Sequence, residues 1–530
     1  MRGRLVGAVT AVGLAAALLA PLSGHLAAAA ERAGPAPAAR SDFDGDGFAD
    51  LAVGVRFEDV GAVTGAGAVT IIGGSASGLG GDMTTWSQDS PGVGGKAATS
   101  DFFSSALATG DFDGDGFADL AIGAQLDDPA GVEDTGAVNV LYGSAEGLTA
   151  TGSQYWYQDS PAVVEAAEAG DHFGGALAAG DFDGDGLDDL AVGVEDEDVG
   201  VVQDAGAVIV LRGTSGGLTG TGSRLLHQDR SGVPGQAAQR DNFGFSLAAG
   251  NLGRGRFDDL AVGVWLDDVV GDDGAGGVNV FYGSAEGLAT TGSELWNQNS
   301  PGIVDQAENP DRFGYSVAIG NLGASKQADL AVGVPFESVG SVADAGAVNV
   351  IYGSPDGLTA DGNQIWHQAS DGVFGTTEKN DFFGFTVAVG NLGHTGQADL
   401  VVGVPREDAS GAVDTGVVHV LYGSPTGVTS DGSQLWYQGT EGVAGAPEDG
   451  DEFGTSLAIG SFGKGAPKDL AVGVPVEDVG SVTAAGAVNV LYGSPSGLTV
   501  TGNQLWTQDS DGTDDAAEST DIFGGSLAST

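Results

Sequence analysis

The stretch DFDGDGFADLAVGV, residues 42–55, places aspartates at three alternate positions, adds a fourth four residues on, and then becomes an apolar run. The same nine-residue head returns as DFDGDGFAD at 111–119 and DFDGDGLDD at 181–189. It then continues in altered form as NLGRGRFDD (251–259), NLGASKQAD (321–329), NLGHTGQAD (391–399) and SFGKGAPKD (461–469). The first step is 69 residues and every later one is 70, so the chain holds seven copies of one unit. A fixed period of this size has to be settled before any other feature is interpreted.

Each unit carries the same flanks. A DxFG segment precedes the loop (DNFGFSLAAG at 241, DRFGYSVAIG at 311, DFFGFTVAVG at 381, DEFGTSLAIG at 451); DLAVGV follows, then an acidic stretch, GAVNVLYGS, a turn ending in GL, and QLWYQ. These are four short segments, two of them apolar enough for strands buried on both faces. Four-strand units that cannot bury their own faces predict an all-β, seven-bladed β-propeller over residues 41–530. An open solenoid is the competing arrangement, and the two ends of the chain argue against it. The first unit starts at Ser41 on the aspartate loop without its DxFG strand, and DIFGGSLAST at 521–530 is such a strand with nothing after it. The C-terminal strand is therefore expected to join blade 1, closing the ring and removing both exposed sheet edges.

Alternating carboxylates around a glycine-rich turn are what calcium requires, since it takes six to eight oxygens. The expected ligands are Asp42, Asp44, Asp46, the Phe48 carbonyl and Asp50; Asp111, Asp113, Asp115, the Phe117 carbonyl and Asp119; and Asp181, Asp183, Asp185, the Leu187 carbonyl and Asp189. About three calcium ions per chain follow, in blades 1–3. An EF-hand shares the spacing but needs a glutamate at position 12 and a helix beyond it, whereas that position is Val53, Ile122 or Val192 within a strand-like run. An empty acidic turn is disfavoured, because like charges about 4 Å apart repel by roughly 4 kcal/mol at an effective dielectric near 20. Blades 4–7 keep a final aspartate (Asp259, Asp329, Asp399, Asp469) but lose the middle carboxylates, and Lys326, Lys464 and Lys468 stand in or beside the altered loops. These loops are expected to form the same turn without metal.

Composition fits an exported β protein. The chain has 95 glycines, no cysteine, and 73 acidic against 18 basic residues, for a formal net charge of −55. That balance argues against nucleic acid as a partner. Residues 1–30, with Arg2, Arg4, an apolar stretch and a small-residue end, have the pattern of a secretory signal peptide, and Ala/Pro-rich residues 31–40 that of a flexible leader. A secreted protein with no membrane anchor after cleavage is expected, and the reading is monomeric.

The FG strand, the DxDGDGxxD loop and the GVP tripeptides at Gly333–Pro335, Gly403–Pro405 and Gly473–Pro475 resemble the FG-GAP repeat of the integrin α-subunit N-terminal propeller and its secreted bacterial relatives. Blades 1–4 lack that proline, with Phe57, Leu126, Asp196 and Leu266 lying nearby, and blade 2 has Ser104 for the FG glycine. The resemblance implies an extracellular binding or adhesion-type module with a protein or glycan ligand. It also implies that ligands meet the face opposite the calcium loops. An acidic pair recurs in the loop expected on that face: Glu58–Asp59, Asp127–Asp128, Glu197–Asp198, Asp267–Asp268, Glu407–Asp408 and Glu477–Asp478, with Glu337–Ser338 the exception. The pairs form either a site for a basic or cation-bridged partner or a solvated rim.

Trp86, Trp156, Trp296, Trp366, Trp436 and Trp506 recur once per blade, with Leu226 in blade 3, as interblade packing residues or, in a lectin, sugar platforms. Catalysis finds little support: the histidines fall at mostly unrelated repeat positions, and GTSGG at 213–217 lacks the helix that a nucleophile elbow needs. An extracellular hydrolase or a lectin on the same propeller remain the alternatives.

Overall fold

The computed structural model describes residues 41–529 apart from 270, 272, 273, 464, 513 and 514. The expected signal peptide and leader, and Lys464, lie outside the described residues. DLAVGV runs form strands because Val and Leu flank small residues that let neighbouring sheets approach, and they are buried along their whole length. In blade 5 the strands are Ser316–Gly320, Asp329–Val334, Ala347–Ser354 and Gly357–Trp366, hydrogen-bonded in chain order. All pairings are antiparallel, with Val332 opposite Val317 on one side and Asn349 on the other.

Seven such four-stranded sheets make the propeller. Only one short 3₁₀ turn, Pro129–Gly131, interrupts the β structure among the described residues. No helix among them is long and apolar enough to cross a membrane.

Blade 1 is assembled from both ends of the chain. Its order is Ser526–Ala528, Leu51–Val55, Ala68–Gly73, Gly80–Trp86, with Ala52 opposite Ala528 and Val53 opposite Leu527. Side chains reinforce the seam with blade 7: Leu79 N–H donates to the Tyr492 hydroxyl at 3.0 Å, and Gln504 Nε2 donates to the Leu79 carbonyl at 2.8 Å.

The core lies between blades rather than within them. At the seam, Leu51, Val53 and Val55 of blade 1 pack with Val488, Val490 and Tyr492 of blade 7, and equivalent clusters fill the other interfaces. The once-per-blade tryptophans sit in or against these clusters, with Leu226 in the same role. The FG glycine is fixed by close approach: at Gly314, φ +92°, a Cβ would lie 2.5 Å from the Gly277 carbonyl. Ser104 adopts the same backbone at φ 84°, and its Oγ accepts from Val55 N–H at 3.1 Å. Ser215 of GTSGG lies exposed in the turn between the third and fourth strands of blade 3.

Strand alternation sets the two faces. Aspartate loops join first to second strands at one end; the acidic-pair loops, and the long connections from each fourth strand to the next blade, lie at the other.

Candidate metal centres

In blade 1, oxygens of Asp42, Asp44 and Asp50 lie within 4.8 Å of one another; in blades 2 and 3 the converging groups are Asp111, Asp113, Asp115 and Asp181, Asp183, Asp185. Asp46, Asp119 and Asp189 stand in the same loops outside these groups of three. The turn is wound by side chain-to-backbone bonds. Gly47 N–H donates to Asp42 at 2.9 Å and Phe48 N–H to Asp46 at 2.9 Å, with equivalents of the first from Gly116 to Asp111 at 3.2 Å and Gly186 to Asp181 at 3.1 Å. Gly45 (φ +73°) and Gly47 (φ +94°) supply the left-handed backbone.

Position 7 is used twice. The Phe117 ring covers Gly45 of the preceding blade, where a Cβ would meet it at 2.7 Å, and Leu187 covers Gly114 in the same way. Those side chains are committed to the blade interface, so from Phe117 and Leu187, and by repeat from Phe48, the group left for an ion is the carbonyl.

The final aspartate has a second task, common to metal-type and altered loops. Asp50 accepts from Phe43 N–H and Gly74 N–H, both at 2.9 Å; Asp119 from Phe112 at 2.8 Å and Gly143 at 2.9 Å; Asp189 from Gly213 at 2.9 Å. The same bonds hold Asp259 to Leu252 and Gly283, Asp329 to Leu322 and Gly353, Asp399 to Leu392 and Gly423, and Asp469 to Gly493. This carboxylate staples the loop to the hairpin after the third strand, which explains why it persists where the other acids are gone.

The altered loops of blades 4–6 replace the acid at position 1 by an amide. Asn251 Nδ2 donates to the Phe257 carbonyl at 2.8 Å and the Gly255 carbonyl at 3.2 Å, and Asn391 Nδ2 to the Thr395 carbonyl at 3.4 Å. A neutral donor thus occupies loop carbonyls, including the position-7 carbonyl of blade 4. In both loop classes the position-1 carbonyl accepts from the next blade: Ala118 N–H reaches Asp42 at 3.0 Å, Ala328 reaches Asn251 at 2.9 Å, and Ala49 reaches Ser461 across the seam at 2.9 Å. The loops therefore form one connected ring.

Burial governs the loop electrostatics. It raises the Asp42, Asp111 and Asp181 carboxyls above the usual range against the loop N–H donors, and neighbouring aspartates push in the same direction. Asp50 and Asp189 are pushed up to about 7 and Asp119 to about 8, again chiefly by burial. Such carboxylates gain from a cation. The donor set is all oxygen, carboxylates with carbonyls, and fits calcium. Blade 3 differs because Arg212, standing where blades 2 and 4–7 have tyrosine, bonds Asp183 and lies 3.7 Å from Asp185.

On the opposite face, the first acid of each pair is buried: Glu58, Asp127, Glu197, Asp267, Glu337, Glu407 and Glu477 are all under 9% exposed. Six of them accept from a glutamine of the preceding blade, for example Gln298 to Glu337 at 2.6 Å, Gln158 to Glu197 at 2.7 Å and, across the seam, Gln508 to Glu58 at 2.6 Å. Second acids cap their own loop: Gly65 N–H donates to Asp59 at 2.8 Å, Asp134 to Asp128 at 2.7 Å and Asp204 to Asp198 at 3.0 Å, with Asp268, Asp408 and Asp478 likewise engaged. The glutamine partner was readable only as a residue recurring in the WxQ segment. One further group, His172, Glu195 and Asp196, also brings ligand atoms within 4.8 Å and lies outside the sequence-derived sites.

The FG-GAP repeat model matches residues 33–72, 103–141 and 173–211. The chain carries FG-GAP repeats. The described parts of the matched segments fall in blades 1–3, which also hold the aspartate loops. Integrin alpha-PS2 of Drosophila melanogaster is 30% identical over 234 residues, 43% of this chain and 15% of that protein. Integrin alpha-5 of Xenopus laevis is 29% identical over 47% of this chain and 21% of its own length. Phosphatidylinositol-glycan-specific phospholipase D of Rattus norvegicus is 35% identical over 114 residues, 22% of this chain and 13% of that enzyme. The matches span less than a quarter of these relatives. Among solved structures, an exotype rhamnogalacturonan lyase aligns over 86% of this chain and 76% of its own at 13% identity, with a TM-score of 0.39, too low to bear on function.

Proposed function

We propose that this FG-GAP propeller is a secreted, monomeric calcium-binding module whose extracellular protein or glycan partner meets the face opposite the aspartate loops. The observation that carries calcium is the contrast between loops. Three converge carboxylates within 4.8 Å, and equivalent loops of blades 4–6 carry an asparagine that bonds loop carbonyls instead. The likeness to integrin α chains supports a binding role, and the pattern of residues 1–30 supports export. When bound, calcium neutralises the carboxylates. Asp42, Asp111 and Asp181 orient the turn through backbone N–H groups, while Asp50, Asp119 and Asp189 lock it to the hairpin. A rigid ring of loops then supports the opposite face.

Within each pair the second acid is the one with charge to offer a partner, since the first is buried. Changing Asp59, Asp128 and Asp198 to asparagine keeps a capping oxygen and removes three charges. Binding of the calcium-loaded protein to a cationic peptide, read by surface plasmon resonance, is expected to weaken severalfold. Unchanged binding would remove the acidic loops from the ligand site.

A further inference from the structure

At the end of the central axis away from the aspartate loops, the residue between the Asp and the Phe of each DxF segment takes a left-handed backbone, φ 56° at Phe102, 61° at His172 and 60° at Arg312 among them. There it meets residues that follow a second strand. Elsewhere around the rim the product is an aromatic contact or an ion pair: Phe57–Phe102 at 4.8 Å, Phe336–Phe382 at 4.9 Å, Arg406–Glu452 at 3.7 Å.

Blade 3 builds something else. Asp196 is gripped twice, with one oxygen 2.6 Å from His172 Nδ1 and the other accepting from Asn242 Nδ2 at 2.6 Å. The same Asn242 amide donates to the Glu195 carbonyl at 3.0 Å. Glu195 occupies the position of Pro335, Pro405 and Pro475 in later blades, and burial pushes its carboxyl up to about 7 despite His172 and Arg56 nearby. Gly175 stands beside it, a Cβ there lying 3.6 Å from the Glu195 carboxyl. At Gly175's position the next two blades have Phe245 and Tyr315, which pack on Trp265 at 4.7 and 5.6 Å. Where those blades place rings, blade 3 has no side chain beside Glu195.

We propose that His172, Glu195 and Asp196 form a zinc-type metal site at the rim of the propeller axis, distinct in chemistry and in face from the three aspartate loops. One imidazole nitrogen and two carboxylate oxygens suit zinc, whereas calcium favours an all-oxygen shell. Three protein ligands leave positions free for water or a ligand donor. Asn242 is the outer partner that fixes the orientation of Asp196, the arrangement metal sites use to hold their ligands. On uptake, the metal takes the place of the proton in the His172 Nδ1–Asp196 hydrogen bond, and that proton moves to Nε2 of a neutral imidazole or leaves an imidazolium for solvent. Glu195 then binds it as a carboxylate, with Arg56 facing that charge from blade 1.

The repeat itself supplies substitutions that fit. Asparagine occupies the His172 position in blade 4 and glutamine the Glu195 position in blade 2, as Asn242 and Gln125. Zinc is titrated into the full chain by calorimetry with calcium in large excess, so that the aspartate loops do not compete. Wild type is expected to take up one zinc. His172→Asn and Glu195→Gln should each weaken it at least tenfold while leaving the calcium-loaded melting temperature unchanged, and Asp44→Ala should leave zinc binding intact. Cobalt(II) gives a second readout, with a visible band in wild type that is lost in His172→Asn. Should either variant melt early, the cobalt spectrum of wild type decides. Absence of zinc uptake and of a cobalt band, or unchanged affinity in a folded His172→Asn, overturns the site.

Discussion

Asp329→Ala in blade 5 isolates the stapling role of the final aspartate, because this loop has lost the other carboxylates. The side chain accepts from Leu322 N–H and Gly353 N–H at 2.8 Å and from Gly323 N–H at 3.2 Å, and all three residues are buried. Removing the acceptor orphans three donors at about 1–3 kcal/mol each, less what a water entering the gap restores. The expected loss is therefore roughly 3–6 kcal/mol, read by urea unfolding at pH 8 with chelator present, and it should be the same with calcium added. Asp329→Asn keeps one acceptor and should fall between. Asp46→Ala in blade 1 is the counterpart, since Asp46 is exposed and caps Phe48 N–H at 2.9 Å. It should cost within about 0.5 kcal/mol in chelator, as surface changes do, and substantially more in calcium. A loss below about 1 kcal/mol for Asp329→Ala, or a loss that depends on calcium, would refute the staple.

Arg212→Tyr restores the residue found at this place in blades 2 and 4–7 and frees Asp183 from a competing cation; the weakest calcium site should tighten severalfold in a calorimetric titration. The buried glutamates set a pH response: Glu58 is pushed up to about 9, Glu197 and Glu337 to about 8, Glu407 and Glu477 to about 7, in each case first by burial. Raised acids hold protons in the folded chain that the unfolded chain has released, so their stabilisation is full below about pH 4.5 and is lost as pH rises through 7–9. The melting temperature at fixed calcium should fall from pH 6 to pH 9, and Glu337→Gln should flatten that fall; a rise over this interval contradicts the assignment.

The fold was legible because the repeat writes it seven times and the two chain ends complement one another. DIFGGSLAST could be paired with Leu51–Val55 from sequence alone, and Ala52 does lie opposite Ala528. The site was legible in part. Alternating aspartates announce a cation loop, but the staple on Asp50 needs Gly74, 24 residues on, and only strand register brings them together. Burial of Glu197 depends on Gln158, 39 residues upstream in another blade. Arg212 gives no signal in the sequence, since its reach into the Asp183 loop depends on the hairpin next to it. The histidines seemed scattered because the rim group draws from two loops of one blade and is held by Asn242 from the next, a juxtaposition that periodicity does not encode.

The most direct measurement is a count of calcium per chain, by calorimetry and elemental analysis after dialysis, paired with thermal melting before and after chelation. The account predicts about three ions, a melting temperature that falls when they are removed, and loss of one ion each for Asp44→Ala, Asp113→Ala and Asp183→Ala. Uptake of no calcium, or a melt that chelation does not shift, would contradict it.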